Sequence, residues 1–138
     1  MKVSQVMSAP VIRIHDREPV SVAARTLTHY NIGALPVCNA DGRVCGVITD
    51  RDIVTRCLAA GRSPETTLVQ EVMTAQVLSA SPDMDTGDAA HLMGKKQVRR
   101  LPVVENGKLC GMLSLADLAT QSSAAQALEE ISGNISRG

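Results

Sequence analysis

The chain repeats itself, and a repeat of this length leaves few folds open. "VSQVMSAPVIRI" from Val3 resembles "VQEVMTAQVLSA" from Val69, so that Met7 pairs with Met73 at an offset of 73 − 7 = 66. The same offset pairs Leu35-Pro36-Val37 with Leu101-Pro102-Val103. After a one-residue deletion, Gly46 pairs with Gly111 at 111 − 46 = 65. Cys45 then falls on Cys110, and Asp52 on Asp117. Agreement at so many points places two copies of one unit in 138 residues. A unit of about fifty residues buries little apolar surface alone, so the two must share a domain.

Each copy has the same grammar. A short apolar segment comes first, "VIRI" or "VLSA", read as a strand. A helix follows. Val20, Ala23, Ala24 and Leu27 recur at helical spacing, as do Ala89, Leu92 and Met93. Pro19 suits a first helical turn. Two strands then flank "ADGR" or "ENGK", whose Asp-Gly and Asn-Gly pairs are strong hairpin signals. A second helix closes the unit. The expected fold is α/β (α+β), with β-α-β-β-α twice, packed about a pseudo-twofold axis. The expected boundaries are 1–62, a linker at 63–68, 69–121, and a C-terminal helix and tail at 122–138. Ala125, Leu128, Ile131 and Ile135 give that helix a thin apolar stripe, suited to covering the domain or meeting a partner chain.

Function classes narrow quickly. Lys plus Arg equals Asp plus Glu at 14 each, so no global field draws in nucleic acid or an anionic membrane. One Tyr and no Phe or Trp remove the stacking platforms of single-strand binders. "GKKQVRR" is the most basic stretch, but it is short and lacks aromatics. Cys38, Cys45, Cys57 and Cys110 form no CxxC and no metal-ligand spacing with His15, His29 or His91. They read as small apolar residues in a reducing compartment. The N-terminus has no apolar signal core, and no run approaches a membrane span, so a cytoplasmic protein is expected. No nucleophile–base pair, metal motif or glycine-rich phosphate loop is legible, which argues against an enzyme.

One element recurs just where each hairpin yields to its last helix: "GVITDRDIV" (Gly46–Val54) and "GMLSLADLA" (Gly111–Ala119). Thr49 and Asp52, and again Ser114 and Asp117, stand three apart. That is the spacing of a capping box. A carboxylate beside a hydroxyl can also accept from the two hydroxyls of a ribose. Both readings stand, and they are compatible, since a helix N-terminus favours anions.

The doubled unit resembles a tandem pair of cystathionine-beta-synthase (CBS) domains. The residues that carry the likeness are "VM" plus Ser or Thr near each start, "LPV" on a middle strand, and Gly-x-x-Thr/Ser-x-x-Asp before the last helix. They span about Val3 to Gln121. "NIGALPVC", "TDRDIV" and "QVRRLPVV" most resemble small stand-alone bacterial pairs of the hypoxia or stress-response type. The resemblance implies a regulatory, non-catalytic module with two composite clefts between the repeats. The implied ligands are AMP, ADP or ATP, and after them S-adenosylmethionine, with no required cofactor. Homodimerisation into a flat disc and an unidentified regulated protein are also implied.

Carried over by position, cleft one takes Thr49 and Asp52 from repeat one. Its other wall is Val77, Leu78, Val98, Arg99, Arg100 and Pro102. Apolar side chains would sandwich adenine, and an Arg fork would meet phosphate. Neighbours on a strand face opposite ways, so only one of Arg99 and Arg100 is expected to point at the phosphates. Cleft two takes Ser114 and Asp117, against Pro10, Val11, Ile32, Gly33, Ala34 and Pro36. Gly33 and Ala34 stand where Arg99 and Arg100 stand in the other copy, so cleft one is expected to be the better nucleotide site. The competing expectation is a dimeric interaction module with ligand-free clefts.

Overall fold

The computed structural model describes residues 1–9, 11–75 and 78–119. Pro10, Val77 and the expected C-terminal helix lie outside the described residues. Repeat one contributes β1 (Ile14–His15), α1 (Val20–Tyr30), β2 (Ala34–Cys38) and β3 (Val44–Thr49). A short α2 (Asp50–Asp52) runs straight into a π-helical turn, Ile53–Leu58. Repeat two opens with α3 (Val69–Val72), then α4 (Thr86–Lys96), β4 (Arg100–Glu105) and β5 (Lys108–Ser114). Residues 115–119 are helical.

The two helices end alike. Asn31 and Gln97, 66 apart, both adopt left-handed backbone (φ 52° and 55°), which stops each helix and turns the chain into its hairpin. Each hairpin carries a bulge. β2 pairs with β3 antiparallel, and the register slips between Val37 and Cys38; β4 and β5 slip between Val103 and Val104. The residues left over are Cys45 and Cys110, whose thiols donate to Val37 O at 3.5 Å and Val103 O at 3.2 Å. Burial raises both thiol pKa values above the ordinary range, as it does for Cys38.

The first strands are shorter than the sequence suggests. "VIRI" yields two strand residues, parallel to β2, because the chain already turns at Glu18, whose N–H bonds His15 O at 3.1 Å. "VLSA" yields a single parallel bridge, Ala80 to Val103. Pro19 is the residue before α1 rather than in it, with extended backbone (ψ 149°).

The opening turns are exchanged. Val3 is fully buried, in the core formed by Ala89, Met93, Leu101, Val103 and Leu113 of repeat two. Val69 and Val72 are buried in the core of repeat one, with Val20, Leu35, Val37 and Ile48. The backbone bonds match by symmetry. Val3 N–H bonds Met84 O, and Val69 N–H bonds Glu18 O, both at 2.8 Å. Ser8 bridges Met112, and Thr74 bridges Val47. What permits this is bare backbone. Met7 lies over Gly111 and Met73 over Gly46, where a Cβ would collide with the methionine side chain.

Candidate functional site

Each capping element forms in full. Thr49 Oγ1 accepts from Asp52 N–H, and Asp52 Oδ2 accepts from Thr49 N–H, both at 3.0 Å. Ser114 and Asp117 make the same two bonds at the same distance. Two otherwise orphaned amides are thereby satisfied at each helix start. Among the described residues, the Thr49 and Ser114 hydroxyls donate to no partner.

Two cavities lie between the repeats, one beside each cap. Cleft one encloses about 570 Å³. Of the residues expected there, Thr49, Leu78, Val98, Arg99, Arg100 and Pro102 line it. Val47, Asp50, Thr74 and Leu101 line it as well, and so do Gly33 and Ala34. Asp52 does not. It is only 8% exposed, and its second oxygen faces Arg56 Nε at 3.8 Å. Arg56 in turn donates to Val72 O at 3.3 Å and Met73 O at 3.1 Å, which ties the start of the π-helical turn to the opening turn of repeat two. The acidic residue that lines cleft one is Asp50, whose Oδ1 accepts from Arg51 N–H at 2.8 Å.

Cleft two is built differently. Its inner part encloses about 210 Å³, lined by Val11, Ile32, Ala34, Pro36, Ser114 and Asp117 as expected. Ile12 and Met112 complete the apolar wall, Ser8 adds a hydroxyl, and Arg100 lines it too. An outer recess of about 440 Å³ adjoins at Arg100 and Ser114, with Arg99, Leu115, Ala116 and Ala119. Gly33 faces cleft one, not this one. The expectation that cleft two has no phosphate-facing cation therefore gives way. The reason is strand register: Arg100 is the cross-strand partner of Ser114, so it starts beside cleft two before its side chain reaches cleft one. Ala34 partners Thr49 in the same way. Among the described residues no carboxylate comes within ion-pair range of Arg99 or Arg100.

Ser8 and Thr74 are site residues that sequence reasoning passed over. Their signal was present, since both are hydroxyls directly after the repeated methionines, Met7 and Met73.

Comparison with known proteins bears on these clefts. The family model for the CBS domain matches twice, at residues 3–59 and 69–124. The chain belongs to the CBS domain family. Among its CBS relatives is the CBS domain-containing protein YhcV of Bacillus subtilis, 38% identical over 94% of each chain. The CBS fold aligns with the crystal structure of Hypoxic Response Protein I at TM-score 0.81 and 33% identity, covering 87% of this chain and 98% of that one. That structure holds two coordinated zinc ions. Among the described residues here, no group of three His, Cys, Asp or Glu is placed to hold a metal. The CBS domain pair of protein MJ0100 aligns at TM-score 0.80 and 27% identity, covering 91% of this chain and 98% of that one. It was solved in complex with 5′-methylthioadenosine and S-adenosyl-L-methionine.

Proposed function

We propose that this CBS pair is a non-enzymatic regulatory module that binds an adenine nucleotide between its repeats and acts as an energy or stress sensor. One observation carries the reading. Cleft one is large enough for a small ligand, within the range of about 300–1,000 Å³ usual for such sites. Its lining brings apolar residues together with the hydroxyl-bearing Thr49, the acidic Asp50 and the two arginines Arg99 and Arg100. Leu78, Val98 and Pro102 offer flat apolar contact to a purine. The Thr49 hydroxyl and the Asp50 carboxylate can take the ribose hydroxyls. Arg99 and Arg100 can meet phosphate oxygens in a bidentate manner. Asp52 acts one step back, fixing Thr49 through the cap. The adenosine-type ligands of the MJ0100 pair support the same ligand class.

Thermal unfolding with AMP, ADP, ATP and S-adenosylmethionine tests this. A ligand at 100 times its dissociation constant stabilises by about 2.7 kcal/mol, a shift of several degrees. No shift with any of the four at millimolar concentration sinks the reading.

A second reading has its own observation. Val54 and Leu58 on the π-helical turn are 55% and 53% exposed, and Leu115 after β5 is 47% exposed. Exposed apolar side chains on both closing helices suit a homodimer, and a dimer that lacks ligand would be an interaction module. The same melts separate the two readings. Sedimentation of the wild type against Leu58→Glu reads the dimer directly.

A further inference from the structure

We infer that the two clefts are negatively coupled through Arg100, so that a phosphate-bearing ligand in one weakens phosphate binding in the other. The inference rests on the nucleotide-binding reading and adds its regulation. Arg100 lines the inner cavities of both clefts, and among the described residues it is the one cation that does so. Ala34 also lines both. These two positions are equivalent in the repeat, 100 − 34 = 66. They head β4 and β2, each opposite the capping hydroxyl of its own hairpin, Ser114 and Thr49. A symmetric pair would place one guanidinium at each of these positions, one for each cleft. With Ala34 in repeat one, both clefts draw on the guanidinium of repeat two.

A guanidinium is a fixed planar fork, so a bidentate bond to one phosphate fixes its plane and commits its donors. The first polyanion to bind takes that fork. The second then meets the first ligand's charge without the donors of Arg100 to offset it, and Arg99 lines only cleft one of the two inner cavities. An uncharged nucleoside asks nothing of Arg100 and should fill both clefts independently. Arg99 lines cleft one and the outer recess but not the inner part of cleft two. It therefore offers no equivalent share to a phosphate seated in the inner cavity.

The test is a calorimetric titration of the full chain with ATP and with adenosine. Val47 lines only cleft one and Met112 only cleft two, at equivalent positions, so Val47→Trp and Met112→Trp each plug one cleft. The two plugged variants give single-site constants, and their product is the value for independent clefts. For ATP, the product of the wild-type dissociation constants should exceed it by about tenfold, within the usual range of coupling between sites. For adenosine the products should agree. Agreement for ATP as well overturns the coupling while leaving the binding reading intact. If neither ligand binds, both fall together. The same plugged variants read Arg100→Gln, a change at an exposed side chain, one cleft at a time. It should weaken ATP in each cleft and adenosine in neither. Loss in one cleft alone assigns Arg100 to that cleft and overturns the sharing. Ala34→Arg supplies the missing second fork and should abolish the tenfold excess; its persistence would count against the mechanism.

Discussion

Asp52 and Asp117 hold equivalent places in two copies of one unit, yet Asp117 lines cleft two and Asp52 is not among the described residues that line cleft one. Their caps are the same to the tenth of an ångström. The difference arises one turn later. Arg56 stands beside Asp52, and the same offset of 65 puts Gln121 after Asp117. Asp52 thus has a charge partner on its own closing helix, and Asp50 is the acidic residue that lines cleft one. A repeat thus conserves its scaffold more readily than its chemistry. The hydrogen bonds that start a helix are fixed by backbone geometry, whereas the face a carboxylate presents depends on which charge is near.

Three measurements sharpen this comparison, beginning with the scaffold itself. A Cβ at Gly46 would lie 2.9 Å from Thr74 O, a backbone atom, while at Gly111 the three nearest atoms all belong to the Met7 side chain. Gly46→Ala should therefore destabilise by about 2 kcal/mol and Gly111→Ala by about half that, read from urea midpoints. Equal losses would mean that the two exchanged turns are equally soft. A smaller effect is expected from Arg56→Gln, which gives repeat one the side chain found in repeat two. Losing the ion pair and the bonds to Val72 and Met73 should lower stability by about 1 kcal/mol. Freed from Arg56, Asp52 should tighten adenosine in cleft one by about threefold; unchanged affinity would show that the pair withholds nothing.

The smallest effect is a pH dependence present in one copy alone. Gln5 Oε1 accepts from Lys2 N–H at 2.7 Å, and Glu71 makes the same bond to Leu68 N–H at 2.7 Å. Only Glu71 titrates. That bond, and then Arg62, hold its carboxyl below the ordinary value of 4.5. A lowered folded pKa contributes stability above the unfolded value, and that stability is lost as pH falls through the folded one. Wild type should be slightly more stable than Glu71→Gln at pH 7 and should lose that margin on acidification below about pH 4.5. Parallel acid profiles would remove Glu71 from the account.

The repeat, both hairpins and both long helices were legible because each has a local cause: the apolar spacing of α1 and α4, and the glycines of the turns. Gly42 and Gly107 do take positive φ, 79° and 80°. The capping elements were legible for the same reason. The exchange of opening turns was not, because Val3 and Val69 carry no mark of which core they enter. A trace of it existed in Gly46 and Gly111, since a glycine within a strand signals another backbone close by. The double service of Arg100 was hidden too. It depends on the register of β4 against β5, and a one-residue slip would have turned that side chain to the other face.

The exchanged turns also set an order of assembly. Core one is complete once Val72 has left the ribosome, since its lid is the next piece of chain to be made. Core two waits on Val3, which must stay unclaimed through more than a hundred residues until Met112 and Leu113 arrive. The opening turn of repeat one is made long before its seat exists, and neither half can be released from the other without leaving both open.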